Sequence, residues 1–172
     1  MKISEIGIQK IKTREELRLT AYRCEAGVLT IGYGHTAGVR AGDKITEMQA
    51  VEFFKRDVAE IERHLNKMIE QGTEFRQSEY DALISLIFTI GLGSFQMSTL
   101  RKKILSKAPA IDCAAEFRKW IYVTKTFTEK NAAGELVKVK RKVVSNGLKN
   151  RRNSEYNQYL DLSGDYRHAG IL

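Results

Sequence analysis

Residues 14–36, REELRLTAYRCEAGVLTIGYGHT, hold two adjacent carboxylic acids, Glu15 and Glu16, the thiol of Cys24, the hydroxyl of Thr30 and the imidazole of His35. Glu15 lies where a helical spacing gives way to alternation, and Cys24 and Thr30 follow on a turn-and-return pattern. A hairpin folded back across that turn sets an acid opposite a polar pair. Cleavage of a sugar acetal asks for such a set: one carboxylic acid protonates the leaving oxygen, and a second group on the other face stabilises positive charge or steers water. The same residues also suit a solvated charged patch at a helix end, a small buried cysteine and an ordinary strand threonine. Spacing alone leaves both readings open. His35 has no second ligand at metal-binding spacing, so no metal is expected.

The elements that must position these groups follow from periodicity. Ser4 caps a first helix carrying Ile6, Ile8 and Ile11, ending near Arg14 to Glu16. From Leu17 apolar and polar residues alternate, CEAG makes a turn, and VLTIGYG reads as a returning strand; Gly27, Gly32 and Gly34 are turn or close-approach positions. A third short strand is expected within Val39 to Ile45. Thr46 and Gln49 form a capping box that opens a long helix with an apolar stripe at Phe54, Val58, Ile61, Leu65 and Met68. Ser78 with Asp81 repeats a capping pattern before ALISLIFTI, a helix buried nearly all round and stopped by Gly91. A helix after Pro109 runs through Cys113, Phe117 and Trp120, with proline at its first position. Residues 123–145 alternate again around the turn-prone NAAGE and predict a basic β-hairpin; NGLKNRRNSEYNQYL returns to helix, and a polar tail without structure follows.

The chain has 172 residues, 42% hydrophobic and 29% charged, which suits one folded, bilobed domain. Lys plus Arg outnumber Asp plus Glu by 29 to 21, a net charge of +8. That excess favours encounter with polyanions. The aromatic residues are scattered, and zinc spacing, an RNP-like string and a dominant basic run are all missing, so a nucleic-acid partner is not expected. Cys24 and Cys113 are too few for a disulfide framework and predict two free thiols. MKISEIGIQKIKTREEL lacks the uninterrupted apolar run of a signal peptide or spanning helix, so the expectation is synthesis in the cytoplasm, with any target beyond the membrane reached by another route.

Glu15, eight residues, Cys24, five residues and Thr30 match without a gap the signature of the bacteriophage lysozyme or endolysin family, glycoside hydrolase family 24, in which the second position is Asp or Cys. LRLTAYRCEAGVLTIGYGHT resembles the family's hairpin, QSEYDALISLIFTIGLGSFQMSTLRKKI its central helical segment, and GLKNRR its closing Gly-Leu-x-x-Arg-Arg motif. The resemblance runs from about residue 4 to about residue 160 with one insertion. It implies an α+β, lysozyme-like fold: a small N-terminal lobe with a three-stranded antiparallel sheet (about 14–60, with the start of the spine helix), a long connecting helix, and a larger helical lobe (about 61–160) with the hairpin inserted at 123–145. It implies a phage or prophage muramidase that cleaves the β-1,4 bond between N-acetylmuramic acid and N-acetylglucosamine in peptidoglycan. No cofactor is implied. The enzyme would act as a monomer on the wall after passing a holin-type pore in the bacterial host.

By the same resemblance Glu15 is the general acid, kept protonated by partial burial, while Cys24 and Thr30 hold the attacking water. Thr36, Phe88, Thr89, Ser98 and Thr99 line the sugar groove, and His35 pairs with Asp57 to tie sheet to spine. Arg151 and Arg152 pair with acids at the lobe junction, and Lys149 supplies a cation near the catalytic acid. His64 and His168 are expected on the surface. Two positions depart from the family pattern. Glu16 replaces a usual glycine, and a left-handed backbone there would cost roughly 1 kcal/mol; its carboxylate either raises the proton affinity of Glu15 or points to solvent. Thr89 replaces an amide. The hairpin lysines Lys125, Lys138, Lys140 and Lys142, with Arg141, either extend the groove toward the anionic wall or form a solvated surface. Two rival readings are a catalytically silent wall-binding protein and a lytic transglycosylase.

Overall fold

The computed structural model describes residues 1–24 and 27–168. The centre of the CEAG turn (25 and 26), the tail (169–172) and the side chain of His168 lie outside the described residues. Eight helices and two antiparallel hairpins are present among the rest, the α+β class expected.

Helix α1 (Glu5–Arg14) begins at Ser4, whose Oγ accepts the N–H of Gly7 at 3.2 Å and donates to Asp81. One hydroxyl therefore caps the helix and pins it to the centre of the fold. Strands β1 (Arg18–Arg23) and β2 (Leu29–Gly32) pair antiparallel with Tyr22 opposite Thr30 and a bulge between Arg18 and Tyr22. The expected third strand shrinks to one bridge, Thr20 to Lys44, flanked by Ala21 N–H to Asp43 O and Ile45 N–H to Leu19 O, each 2.9 Å. A turn at residues 40–43, closed by Asp43 on the Arg40 N–H at 2.7 Å, and the cap at Thr46 leave no length for more.

Helix α2 (Glu47–Glu70) starts with the expected box, Gln49 N–H to Thr46 Oγ1 at 3.2 Å and Thr46 N–H to Gln49 Oε1 at 2.8 Å. Its whole apolar stripe is buried, and each large side chain contributes about 1.5–3 kcal/mol by leaving water. Helix α3 (Gln77–Ile90) lies at the centre, packed by α1, α2 and α7, and every residue from Asp81 to Ile87 is buried. Its cap differs from expectation. Glu79 accepts the Arg76 N–H at 2.9 Å, while Ser78 and Asp81 face inward, where Asp81 anchors Ser4 and the hydroxyl of Tyr166 at 3.0 Å.

Helices α4 (Leu92–Gln96), α5 (Thr99–Leu105) and α6 (Ala110–Phe117) complete the body, with Pro109 capping α6 one position before the first helical residue and Trp120 just beyond its end. Strands β3 (Tyr122–Lys130) and β4 (Leu136–Val144) form the inserted hairpin in unbroken register, closed by Asn131, whose Oδ1 accepts the N–H groups of Ala133 and Glu135 at 3.0 and 2.9 Å. Helix α7 (Asn146–Tyr159) packs on α3 and α6. The tail is not structureless: α8 (Asp165–His168) buries Tyr166, because its hydroxyl finds both Asp81 and, at 2.7 Å, Gln158. Neither cysteine is in a disulfide; Cys113 is buried and Cys24 half-buried. His64 is half-buried rather than exposed, edge-on to Phe95 at 6.1 Å between centroids.

Candidate active site

Glu15 closes α1, its N–H donating to Ile11 O at 3.1 Å, so the docking of that helix fixes where its carboxyl stands. The side chain is 22% exposed, and Oε1 accepts Arg151 Nη1 at 2.5 Å. Arg151 is itself held by Glu155 Oε1 through Nε at 3.1 Å and by Ser85 O through Nη2 at 3.3 Å. Glu155 is wholly buried and also takes Ser85 Oγ at 2.7 Å and Arg152 Nη2 at 2.9 Å. Burial pushes the Arg152 guanidinium down to about 10, with Glu155 opposing, so it stays a cation at neutral pH. Arg14 completes the group through Ser85 Oγ at 3.2 Å and Ser154 Oγ at 2.6 Å.

Arg151 and Arg152 pair with acids as expected, but the cation on Glu15 is Arg151 and not Lys149. The helix explains the difference. Arg151 and Arg152 stand four and three residues before Glu155 on the face toward α3, whereas Lys149 is turned away and exposed.

With Oε1 occupied, Oε2 is left facing Gly34. A Cβ built on Gly34 would sit 3.9 Å from that oxygen and 3.5 Å from Phe88 Cε1, and the residue has φ of 101°, so glycine keeps the gap between acid and ring open. Across the hairpin, Val28 O accepts both the Cys24 N–H at 3.0 Å and the Thr30 hydroxyl at 3.1 Å. That carbonyl ties the two residues together. Thr30 is buried with its hydrogen committed, which leaves oxygen lone pairs to accept from a guest. Tyr22, opposite Thr30, has its phenol pushed up by burial; Arg18 opposes, and Cys24, Glu15 and Glu16 add to the rise, so these groups share one electrostatic neighbourhood.

Glu16 has no left-handed backbone; it holds Arg18 at 3.0 and 2.7 Å, and the guanidinium stacks on Tyr22 at 4.5 Å. The exposed second acid thus braces the strand.

His35 is 7% exposed, with Nδ1 at 2.9 Å from both oxygens of Asp57 and Nε2 at 3.0 Å from Ala37 O. The expected tie between sheet and spine is in place. Thr36 and Phe88 line a groove of 230 Å³ with Gly34, walled by His35 and Asp57. Thr89 and Thr99 line a different space, a 500 Å³ cavity beside Trp120 and Arg152. Ser98 lines neither: it is buried, donates to Phe95 O at 2.7 Å and caps α5 through the Arg101 N–H at 3.1 Å. Sequence reasoning missed Glu155, Tyr22 and Arg18; the Arg151–Glu155 and Arg152–Glu155 spacings were the signal available for the first. Among the described residues no cluster of His, Cys, Asp and Glu is placed to hold a metal.

An acid at a helix end facing a hairpin, with a long helix joining that hairpin to a helical body and a groove between them, defines a lysozyme-type glycoside hydrolase. Residues 12–155 match the family described as Phage lysozyme. An endolysin of Acyrthosiphon pisum secondary endosymbiont phage 1 is 46% identical over 120 residues, covering 70% of this chain and 80% of that one. The solved endolysin from Escherichia coli O157:H7 phage FAHEc1 superposes with a TM-score of 0.72 at 36% identity, covering 94% of this chain and 95% of its own. The muramidase domain of SpmX from Asticaccaulis excentricus gives 0.72 at 29% identity, covering 92% and 97%. The chain belongs to the phage lysozyme family.

Proposed function

We propose that Glu15, Cys24 and Thr30 carry out the muramidase reaction of this family on cell-wall peptidoglycan. The chain is a glycoside hydrolase of the endolysin type, and the bond cut is the β-1,4 link between N-acetylmuramic acid and N-acetylglucosamine. Glu15 gives a proton from Oε2 to the leaving oxygen while Arg151 fixes Oε1. Thr30, whose own hydrogen goes to Val28 O, accepts a hydrogen bond from the attacking water, which Cys24 helps to orient and which gives up its proton to solvent as its oxygen bonds to the anomeric carbon. Thr36 and Phe88 bear on the sugar. The observation that carries this reading is the fixed Glu15 carboxyl, with one oxygen bound and the other beside the space Gly34 leaves free. Residues 1–172 work as one monomeric unit, which reaches the wall through a pore supplied by a separate holin-type protein; among the described residues no helix is long and apolar enough to cross a membrane.

The test is release of reducing ends from purified sacculi. Glu15→Gln lowers the rate by about 10²–10⁴-fold, the range of a lost general acid, with the fold intact by circular dichroism, and Glu16→Gln keeps most activity. Retained activity in Glu15→Gln overturns the assignment. Mass spectrometry of the fragments shows hydrated ends; 1,6-anhydro ends would replace hydrolysis by transglycosylation.

A further inference from the structure

The inserted hairpin has two unlike faces. Directly paired residues of antiparallel strands share a face, and the register sets Thr124 against Lys142, Thr126 against Lys140 and Thr128 against Lys138. Three successive threonine–lysine rungs result, roughly 7 Å apart, and all six residues are exposed. This face carries no acid. Glu129 pairs with Val137 on the opposite face, where it binds Arg141 at 2.6 Å, and Glu135 lies in the turn. Among the described residues none of the three rung lysines is in an ion pair. Elsewhere on the hairpin the opposite face is largely apolar, with Val123, Val139 and Val143 half-buried.

The rungs do not stand apart from the enzyme. Thr124 and Lys142 line the 500 Å³ cavity at the hairpin base, together with Trp120, Thr89 and Arg152. Arg152 is fully buried, donates to Thr89 Oγ1 at 3.3 Å, and has no hydrogen-bond partner at Nη1. Through Glu155 and Arg151 it reaches Glu15. Phe88 lines the groove beside the acid and its chain neighbour Thr89 lines this cavity, which Thr124 and Lys142 of the ladder also line.

We propose that the face bearing Thr124–Lys142, Thr126–Lys140 and Thr128–Lys138 is a second binding surface, which takes the free carboxylates of peptidoglycan stem peptides beyond the cleavage groove. The inference rests on the reading of the chain as a peptidoglycan hydrolase. Charge complementarity selects the occupant: repeated ammonium groups meet repeated carboxylates, and the threonine hydroxyls serve neighbouring amides. Lys125 and Arg141, on the other face, take no part.

The experiment is cosedimentation of the full chain, in a Glu15→Gln background that leaves the polymer uncut, with native sacculi and with sacculi whose carboxyls have been amidated. Lys138→Gln with Lys140→Gln weakens binding about fivefold and flattens its salt dependence. Lys125→Gln with Arg141→Gln, an equal loss of charge from the opposite face, leaves affinity within about twofold. Amidated sacculi bind the parent as weakly as native sacculi bind the rung variant. Equal losses from both faces, no loss from the rungs, or no effect of amidation overturns the proposal. So does a rung-dependent affinity for anionic phospholipid vesicles that leaves sacculus binding unchanged. Failure of the wild-type chain to release reducing ends overturns the hydrolase reading instead, whatever the binding shows.

Discussion

Two regions of this molecule are rich in arginine and lysine, and they use charge in opposite ways. Under Glu15, Arg14, Arg151 and Arg152 are drawn into the body around Glu155, and the Arg152–Glu155 pair is 0% exposed on both sides. On the hairpin the comparable pair, Arg141–Glu129, is 57% and 35% exposed, and among the described residues the rung lysines have no ion pair. Burial makes the first set depend on exact partners, since a guanidinium out of water needs every bond it can form. Exposure leaves the second set solvated and available. Holding the Glu15 carboxyl in one place takes buried, paired charge, whereas the hairpin leaves its charge to solvent.

The contrast is broken most strongly at Glu155. Glu155→Gln strands the buried Arg152, takes one partner from Arg151 and destabilises the fold by about 3–5 kcal/mol, read from urea denaturation; a loss below about 1 kcal/mol would mean that water already solvates the group. Replacing both partners, Arg152→Met with Glu155→Leu, sharpens the point. It costs less stability than Glu155→Gln alone, since apolar contacts replace the pair and no charge is left behind. On the hairpin, Arg141→Gln removes an exposed pair and costs no more than about 1 kcal/mol in the same assay.

His64 tests the middle ground. Burial, aided by Arg101 and Lys67, lowers its pKa from the ordinary 6.5. The unfolded chain then binds more protons there than the folded one, so the contribution is complete above that value and is lost as pH falls below it. His64→Gln therefore flattens the decline of Tm on acidification through pH 6.5, by less than any effect above. A Tm profile identical to the parent's would show that the ring titrates as in solvent.

Much of the fold was legible because it is written locally. Ser4, the Thr46–Gln49 box, the stripe of α2 and the hairpin alternation are patterns within a few residues of one another, and each formed. The errors came where a distant partner intervened. Asp81 looked like a capping residue, but Ser4 and Tyr166 claim it from the two ends of the chain, which also gives structure to a tail read as having none. The third strand failed because a turn and a cap closed in on it from either side.

At the site, residue types and spacing alone left the acid and its polar counterparts open; the resemblance to the phage lysozyme family singled them out and implied the His35–Asp57 tie, a contact the structure contains. A family motif carries what a short stretch of chemistry leaves undecided. Tertiary structure alone decided that Arg151 and not Lys149 holds Glu15, and that Glu16 braces Arg18 on Tyr22. It likewise decided that Thr89 and Thr99 open on a cavity apart from Thr36 and Phe88, and that the hairpin lysines divide between two faces. In each case the deciding quantity is which way a side chain turns once its helix or strand is packed. That angle is set by the whole core, and no short stretch of sequence contains it.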